Sequence, residues 1–360
     1  MQDDTPILQR APALDPAWLQ HEKEANLLAP KPAMDPLQKQ KAYAAQCRAL
    51  NGAMMAPGAR DHHLSQGIRT QQTSVPSTLD GHAIPVLQYD RRAPVVVVVV
   101  DDGSGAAAAA AAEAEEGGGE PAWVVVYYHG GALFNGEADS EDLSCRRIVR
   151  DSRLPAAVRL YSVGYRLQPL HPASTIVQDS IDAFESVVRA HPGSRVLVVG
   201  SSSGGELAAL VTQRAAKGSF HGVVLRCPVT SDASGGAEYV PERLRGMHTS
   251  AWDRSFESSI LGFMKRDIPR DGLERMPVEA SEEELIGMPR TWVQVCTNDV
   301  LYSDGICYAR ILRDAGAEVK VDVVWGWPHT FWLKAPQLPR ALEADKAMLR
   351  GIRWVAGLEE

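Results

Sequence analysis

Short apolar runs separated by amphipathic stretches occupy most of the chain from residue 123 onward. The apolar runs predict buried strands at 123–128, 160–167, 196–199, 222–228, 291–296 and 319–325. Apolar residues at helical spacing predict helices over 174–191 and 304–315 and directly after residue 204. Strands that are apolar along their whole length are typical of a parallel sheet covered on both faces. The alternation therefore predicts an α/β fold with a mostly parallel central sheet flanked by helices.

The first third of the chain follows other patterns. Apolar and polar residues alternate loosely over 72–89 around an Asp80-Gly81 turn, which predicts antiparallel edge strands. Residues 94–120 contain six consecutive valines and seven consecutive alanines, a composition typical of a low-complexity insertion. A dinucleotide-binding G-x-G-x-x-A pattern begins there at Gly103, but the strand that follows ends without a ribose-binding carboxylate. We therefore expect no dinucleotide cofactor.

Two segments lack strand patterns. Residues 1–70 are rich in proline and alanine and place apolar residues at helical spacing, whereas residues 230–288 are highly charged, with helical pieces at 239–247 and 255–264. The expected division is an N-terminal helical cap segment at 1–70, an α/β core at 71–229 and 289–360 that contains the insertion at 94–120, and a cap insertion at 230–288. A packing arm without a cap role is the alternative for 1–70.

Composition limits the classes of partner. The 360 residues carry a net charge of -8, which argues against a nucleic acid or an anionic membrane surface as partner. The five cysteines are scattered without metal-ligand spacing, so we expect reduced thiols and no metal. The N-terminus lacks the features of a secretory signal, and no apolar run approaches the roughly 20 residues of a membrane span. These observations predict a cytoplasmic protein without a membrane span.

A Gly-x-Ser-x-Gly motif follows the strand predicted at 196–199. It runs from Gly200 through Ser202 to Gly204 and leads directly into a helical pattern. In this strand–turn–helix context the motif is typical of a nucleophilic serine exposed on a tight turn. The following helix directs backbone N–H groups and its positive dipole end toward a developing oxyanion. A Ser/Gly turn that only caps the helix is the alternative interpretation.

A glycine-rich loop follows the strand at 123–128. The loop begins His129-Gly130-Gly131-Ala132 and leaves main-chain N–H groups uncovered by side chains. We expect the amides of Gly130 and Gly131, together with that of Ser203, to form an oxyanion hole. An ordinary turn after a strand is the alternative.

An acid and a histidine follow the last two predicted strands. Asp299 and His329 come after Ser202 in the order serine, acid, histidine, and strand ends on one edge of a parallel sheet lie together. We therefore predict that Ser202 is the nucleophile, that His329 accepts and returns its proton, and that Asp299 orients the imidazole. Asp304 is a rival acid but is better interpreted as the cap of the following helix. A core histidine and a helix cap are the structural alternatives for His329 and Asp299.

The joint pattern resembles the α/β-hydrolase fold, and within it the hormone-sensitive-lipase-like carboxylesterases. The resemblance rests on residues 129–132, on Tyr165-Arg166-Leu167 with Pro169, and on the segments 200–205, 299–304 and 328–331. It covers about residues 75 to 355 and implies an esterase for small or short-acyl esters that needs no metal or organic cofactor. It also implies a cap built from the N-terminal helices and the insertion after the serine turn.

The sequence departs from the pattern of this family in three places. Ser201 and Ser203 stand where the family usually has aspartate and alanine, and Gln168-Pro169-Leu170 replaces Ala-Pro-Glu. The valine and alanine tracts are the third departure. Together with the absence of a signal, they resemble the fungal branch of the family that acts in secondary metabolism. The departures leave the substrate range open.

Three functions compete at this point. The first is a serine carboxylic-ester hydrolase that acts on a small or medium ester through an acyl-enzyme on Ser202. The second is a non-hydrolytic biosynthetic enzyme of the same fold that catalyses acyl transfer, lactonisation or elimination. The third is a catalytically silent receptor for a small molecule, against which the complete set of serine, histidine and aspartate counts. A homodimer through the sheet edges or the last helix stays open. An aromatic pocket could be lined by Phe134, Trp252, Phe256, Phe263, Trp325 and Trp327.

Overall fold

A central sheet organises the protein. The computed structural model describes residues 5–30, 33–91, 97–100, 108–111, 120–262 and 266–358. The strands are β1 (Ile68–Pro76), β2 (Ala83–Arg91), β3 (Val97–Val100), β4 (Ala108–Ala111), β5 (Trp123–Tyr128), β6 (Val158–Val163), β7 (Arg195–Ser201), β8 (Gly222–Arg226), β9 (Thr291–Asn298) and β10 (Val319–Pro328). The helices are α1 (Pro16–Glu24), α2 (Pro36–Met55), α3 (Asp142–Asp151), α4 (Ala173–Ala190), α5 (Ser203–Arg214), α6 (Glu282–Leu285), α7 (Tyr302–Asp314), α8 (Phe331–Lys334) and α9 (Pro339–Val355).

The sheet has eight strands in the order β1-β2-β6-β5-β7-β8-β9-β10. β2 pairs antiparallel with both β1 and β6, and every other neighbouring pair is parallel. The helices α3, α4, α5 and α7 lie in the connections between parallel strands. The predicted α/β architecture, with a mostly parallel sheet and an antiparallel edge, is therefore confirmed.

Both faces of the central strands are buried, which explains their continuous apolar runs. Along β5, Val124 and Val126 belong to the core that contains the inner faces of α4, α5 and α7. Val125 and Tyr127 point to the opposite face, into a second core that contains α3 and α9. Because successive side chains of a strand alternate between faces, a strand covered on both sides has no position for an exposed polar residue.

The N-terminal segment packs against the end of β10. Asp15 and Asp35 cap the N-termini of α1 and α2, next to a proline at the first helical position. The carboxylate of Asp15 accepts one backbone amide of the first turn, and that of Asp35 accepts two. The amide of Asp15 donates to the carbonyl of Gly326 over 2.8 Å. Trp18 is fully buried and lies edge-on to Trp327. The segment therefore lies over the carboxyl end of the sheet.

Short turns replace the helices predicted within residues 230–288. The helices expected over 239–247 and 255–264 are absent from the described residues, so that prediction was wrong. The structure has 3-10 turns at Ala237–Tyr239, Glu242–Leu244 and Arg254–Phe256. Pro241 and Gly246 leave four residues between them, too few for a stable helix. In the second piece the hydroxyl of Ser258 accepts the amide three residues ahead, which competes with helical bonding.

Most of the insertion predicted at 94–120 lies outside the described residues, including the glycines at 103 and 105. Within it, β3 and β4 pair antiparallel as a separate two-stranded ladder. Across the part of the chain that the structure describes, no helix is both long enough and apolar enough to span a membrane.

Candidate active site

Ser202 lies on the sharp turn between β7 and α5. Its backbone has φ 53° and ψ -124°, a conformation that costs free energy in a residue with a side chain. Glycines on both sides allow the turn. A Cβ on Gly200 would lie 2.1 Å from the carbonyl oxygen of Gly204, and a Cβ on Gly204 would lie 2.1 Å from that of Tyr128. The turn holds the Ser202 hydroxyl at the carboxyl end of β7.

Three side chains from three strand ends form a hydrogen-bonded chain. Nε2 of His329 lies 2.9 Å from Oγ of Ser202, and its Nδ1 lies 2.7 Å from Oδ2 of Asp299. Asp299 and His329 are buried. Burial disfavours the charged imidazolium, but the charge of Asp299 and its hydrogen bond outweigh burial and raise the pKa of His329. The structure thus brings together Ser202, Asp299 and His329 in an arrangement that can withdraw the hydroxyl proton.

The carboxylate of Asp304 has a different role from the predicted one. The N-cap of α7 is Leu301, so the prediction that Asp304 caps this helix was wrong. Its Oδ1 accepts the amides of Thr230 and Ser231 over 2.8 and 2.7 Å, and its Oδ2 lies 3.3 Å from Nε2 of His248. Asp304 fixes the start of the 230–288 segment, and among the described residues its carboxylate has no hydrogen bond or ion pair with His329.

The glycine loop (residues 129–136) differs from expectation at Gly130. The amide of Gly130 donates to Oε1 of Glu141 over 2.7 Å, so it is not free to stabilise an oxyanion, and the prediction for Gly130 was wrong. Oε1 of Glu141 also accepts the hydroxyl of Ser201 over 2.6 Å, and its Oε2 accepts the hydroxyl of Tyr127. Glu141 therefore ties the glycine loop to the residue before Ser202. Sequence reasoning missed Glu141, because no motif marks a residue just before α3.

Two other amides of the loop and the first amide of α5 are available as donors. Within the described part of the chain, the amides of Gly131, Ala132 and Ser203 have no acceptor in the protein. The loop bends back at Gly131, where φ is 135° and a Cβ would lie 1.9 Å from the carbonyl oxygen of Asn135. Ala132 follows with φ 58°. The free donors therefore lie one position later along the loop than the sequence predicts, with Gly131 and Ser203 common to both.

The side chains of His129 and Tyr165 hold the glycine loop in place. Their rings stack with centroids 4.3 Å apart, and the Tyr165 hydroxyl donates to the carbonyl oxygen of His129. Burial lowers the pKa of His129, which keeps the imidazole neutral. A Cβ on Gly136 would lie 2.4 Å from Nδ1 of His129, so the loop closes tightly over this ring. The histidine at the start of the glycine loop is therefore a structural residue.

Cys227 packs against the acid and the histidine. Its Sγ, a carboxylate oxygen of Asp299 and a ring nitrogen of His329 lie within 4.8 Å of one another. Cys227 follows β8 with φ 45° and is buried. Sequence spacing carries no sign of this contact, because Cys227 comes from a different strand end than either partner.

A cavity of about 680 Å³ opens beside the glycine loop. This side cavity is lined, among others, by Ala132, Leu133, Phe134, Ser203, Glu206 and Arg266. Of the aromatic residues predicted to line a pocket, Phe134 lies here. Phe256 and Trp327 are instead buried in the core, Trp252 and Trp325 lie exposed, and Phe263 lies outside the described residues.

Comparison with known proteins identifies the family. The family model described as alpha/beta hydrolase fold matches residues 125–333. The FAD-linked oxidoreductase pytB of Aspergillus terreus is 28% identical over an alignment of 237 residues, which covers 63% of this chain and 28% of pytB. Esterase LipI of Mycobacterium tuberculosis is 29% identical over an alignment of 248 residues, which covers 63% of this chain and 71% of LipI.

A solved structure agrees with the same fold. The esterase of Pyrobaculum calidifontis superimposes with a TM-score of 0.67 and 23% identity, and the match covers 95% of this chain and 99% of that one. The matched family model spans more than half of the 360 residues and includes the serine turn, the acid and the histidine. The family that the motifs predicted is confirmed: the chain belongs to the α/β-hydrolase fold family.

Proposed function

We propose that the protein is a serine carboxylic-ester hydrolase. The observation that carries this proposal is the hydrogen-bonded chain from Asp299 through His329 to Ser202, on a strained turn beside free backbone amides. The esterase activity named for LipI, a relative in the same family, supports it. The substrate is a small or medium ester, and the residues of the site supply the chemistry by themselves.

The reaction proceeds in two halves. Nε2 of His329 accepts the proton of Ser202 as Oγ bonds to the ester carbonyl carbon, and the carbonyl oxygen becomes an oxyanion. The imidazolium then gives the proton to the leaving alcohol, and the carbon–oxygen bond to that alcohol breaks to leave an acyl-enzyme. Water attacks the acyl carbon in the second half, with the same histidine as base, and releases the acid and free Ser202. Asp299 stabilises the imidazolium in both halves.

The oxyanion is held by backbone donors. The amides of Gly131 and Ser203 face no acceptor within the described residues, and Ser203 begins α5, where the helix dipole adds positive potential. The amide of Ala132 replaces that of Gly130 as the third donor. Removing one such donor typically lowers kcat by about 10²–10³-fold.

We propose that residues 1–70 and 230–288 form a cap over the substrate. The N-terminal segment is hydrogen-bonded to Gly326, which lies shortly before His329 in the sequence. The 230–288 segment is held at its start by Asp304. Arg266 of the second segment lines the side cavity. A cover of this kind excludes water and strengthens the electrostatic contacts beneath it.

Reaction with a fluorophosphonate tests the proposal. Intact mass should show one adduct on the wild type and none on Ser202→Ala, and p-nitrophenyl acetate should give a burst of p-nitrophenol that the variant loses. Ser219→Ala, on a loop after α5, is the matched control and should behave as wild type. Turnover retained in Ser202→Ala would rule out the covalent route, and an adduct on that variant would assign the reactive group elsewhere.

A further inference from the structure

The side cavity combines apolar walls with one buried carboxyl group. Leu133 and Phe134 of the glycine loop, with Val229 and Ile268, contribute apolar surface. Glu206, in the first turn of α5, lines the same cavity and is 1% exposed. A cavity of about 680 Å³ lies within the usual size of small-molecule sites, in which a few polar groups among apolar walls set orientation. The carboxyl group of Glu206 is therefore in a position to determine which ligands the side cavity accepts.

Glu206 has unused hydrogen-bonding capacity. Within the part of the chain that the structure describes, its Oε1 has no hydrogen-bond partner. Its Oε2 lies 3.7 Å from Nη2 of Arg266, too far for a hydrogen bond. A buried polar group without a partner costs free energy, and a ligand group that bonds to it recovers that cost. A ligand in the cavity therefore binds more tightly if it places a polar group next to the carboxyl group of Glu206.

The charges around Glu206 select the kind of group. Arg266 is already paired with Asp232 over 2.9 Å and with Asp271 over 2.8 Å. Asp304 adds a third acidic charge near Glu206. Burial, and then these three carboxylates, outweigh the single guanidinium and raise the pKa of Glu206 to about 8. At neutral pH the side chain is a carboxylic acid, able both to donate and to accept a hydrogen bond.

This environment excludes two alternatives. A ligand carboxylate would meet three acidic groups and one guanidinium whose charge is already compensated. A ligand ammonium would have to lose its hydration shell beside the apolar wall, and a protonated Glu206 offers it no charge partner in return. A neutral hydroxyl group, in contrast, can donate to Oε1 and accept from the protonated carboxyl at no charge cost.

We propose that Glu206 recognises a neutral hydroxyl group on an apolar, ring-sized part of the ester substrate, held in the side cavity. The inference rests on the proposed esterase function and names the substrate class of that site. Phe134 at the wall favours an aromatic ring as the apolar part. Glu206 acts as a binding residue, while the reacting atoms are those of the triad.

Two series of esters test the proposal. In the first, p-nitrophenyl 3-phenylpropanoates carry methyl, hydroxyl, carboxylate or aminomethyl at the ring para position. In the second, 2-phenylethyl acetates carry the same four groups on the alcohol. The substituent lies far from the ester in both, so the intrinsic reactivity hardly changes. At pH 7 we expect kcat/KM to be at least 10-fold higher for the hydroxyl-substituted ester than for the methyl-substituted ester in one of the two series.

Variants identify the residue responsible. Glu206→Leu fills the same space without a polar group and should bring the hydroxyl-to-methyl ratio of kcat/KM close to 1. Glu206→Gln keeps a donor and an acceptor and should retain a preference of several-fold. Glu185→Leu, an exposed glutamate on α4, is the matched control and should keep the wild-type ratio.

The outcomes separate this inference from the proposed function. Ser202-dependent turnover with equal rates for hydroxyl and methyl esters would overturn the inference and leave the hydrolase intact. A preference for carboxylate or aminomethyl, or a hydroxyl preference that survives in Glu206→Leu, would overturn it as well. Absence of both turnover and a fluorophosphonate adduct would remove the proposed function and the inference together.

Discussion

Replacing Glu206 with glutamine should change how the stability of the protein depends on pH. The substitution keeps the shape and polarity of the side chain and removes its titration. In the folded protein, burial raises the pKa of Glu206 to about 8 from its ordinary value of 4.5; the charge of Arg266 opposes this rise, and the charges of Asp271, Asp304 and Asp232 add to it. The unfolded chain, open to water, titrates near the ordinary value.

The sign and size of the effect follow from proton linkage. Between pH 4.5 and about 8, the unfolded state has lost the Glu206 proton and the folded state has kept it. The free energy of unfolding of the wild type therefore falls as pH rises, by about 1.4 kcal/mol per pH unit from this group. The free energy of unfolding of Glu206→Gln does not show this decrease with pH, because glutamine does not titrate. The variant should gain about 4 kcal/mol relative to the wild type between pH 5 and pH 8, as an upper value for a group that stays dry.

Urea unfolding at several pH values between 5 and 8 measures the difference. Midpoints and slopes are compared for wild type and Glu206→Gln. Glu185→Gln, at an exposed position of α4, is the control that leaves the pH profile unchanged. The difference between Glu206→Gln and wild type should widen steadily with pH. A constant difference across this range, or a variant that loses stability as pH rises, would refute a protonated Glu206 in the folded protein.

Three further predictions concern the site. Asp299→Asn should lower kcat by about 10³–10⁴-fold. It should also lower the pKa of the His329 imidazole, so that the acidic limb of the pH–rate profile moves to lower pH. An acidic limb at the wild-type pH would contradict this prediction. Glu141→Ala should leave the amide of Gly130 and two buried hydroxyls, those of Ser201 and Tyr127, unpaired, which lowers the free energy of unfolding by at least about 1–3 kcal/mol. Gly204→Ala should destabilise by about 3 kcal/mol or more, because its Cβ meets a strand carbonyl at 2.1 Å, whereas Gly246→Ala has open space and should not.

The sheet and the serine turn could be predicted because short stretches of sequence determine them. Strands covered on both faces have to be apolar throughout, so the runs at 123–128 and 196–199 are visible without a structure. The turn around Ser202 requires glycine on both sides for steric reasons, and this requirement appears as a motif. Asp299 and His329 could be placed because strand order fixes which loops meet at the carboxyl edge.

The parts that sequence could not give depend on contacts between distant positions. Glu141 lies 60 residues before Ser201 and binds it through a side-chain geometry that no local pattern encodes. That contact also removes Gly130 from the oxyanion donors, which spacing alone cannot reveal. Asp304 sits in the first turn of a helix, where a capping role is the natural expectation, yet its carboxylate turns to Thr230 because the 230–288 segment begins there.

The helix that follows Ser202 links the two proposals. The amide of Ser203 is a proposed oxyanion donor, and Glu206 presents its carboxyl three residues later on the same rigid helix, about 4.5 Å along the axis. A substrate hydroxyl bound to Glu206 therefore fixes the distance from the substituent to the ester carbonyl. Because this positioning also orients the carbonyl toward Ser202, loss of the hydroxyl should lower kcat as well as raise KM. A change confined to KM would mean that the cavity binds the ring without aligning the reacting carbon.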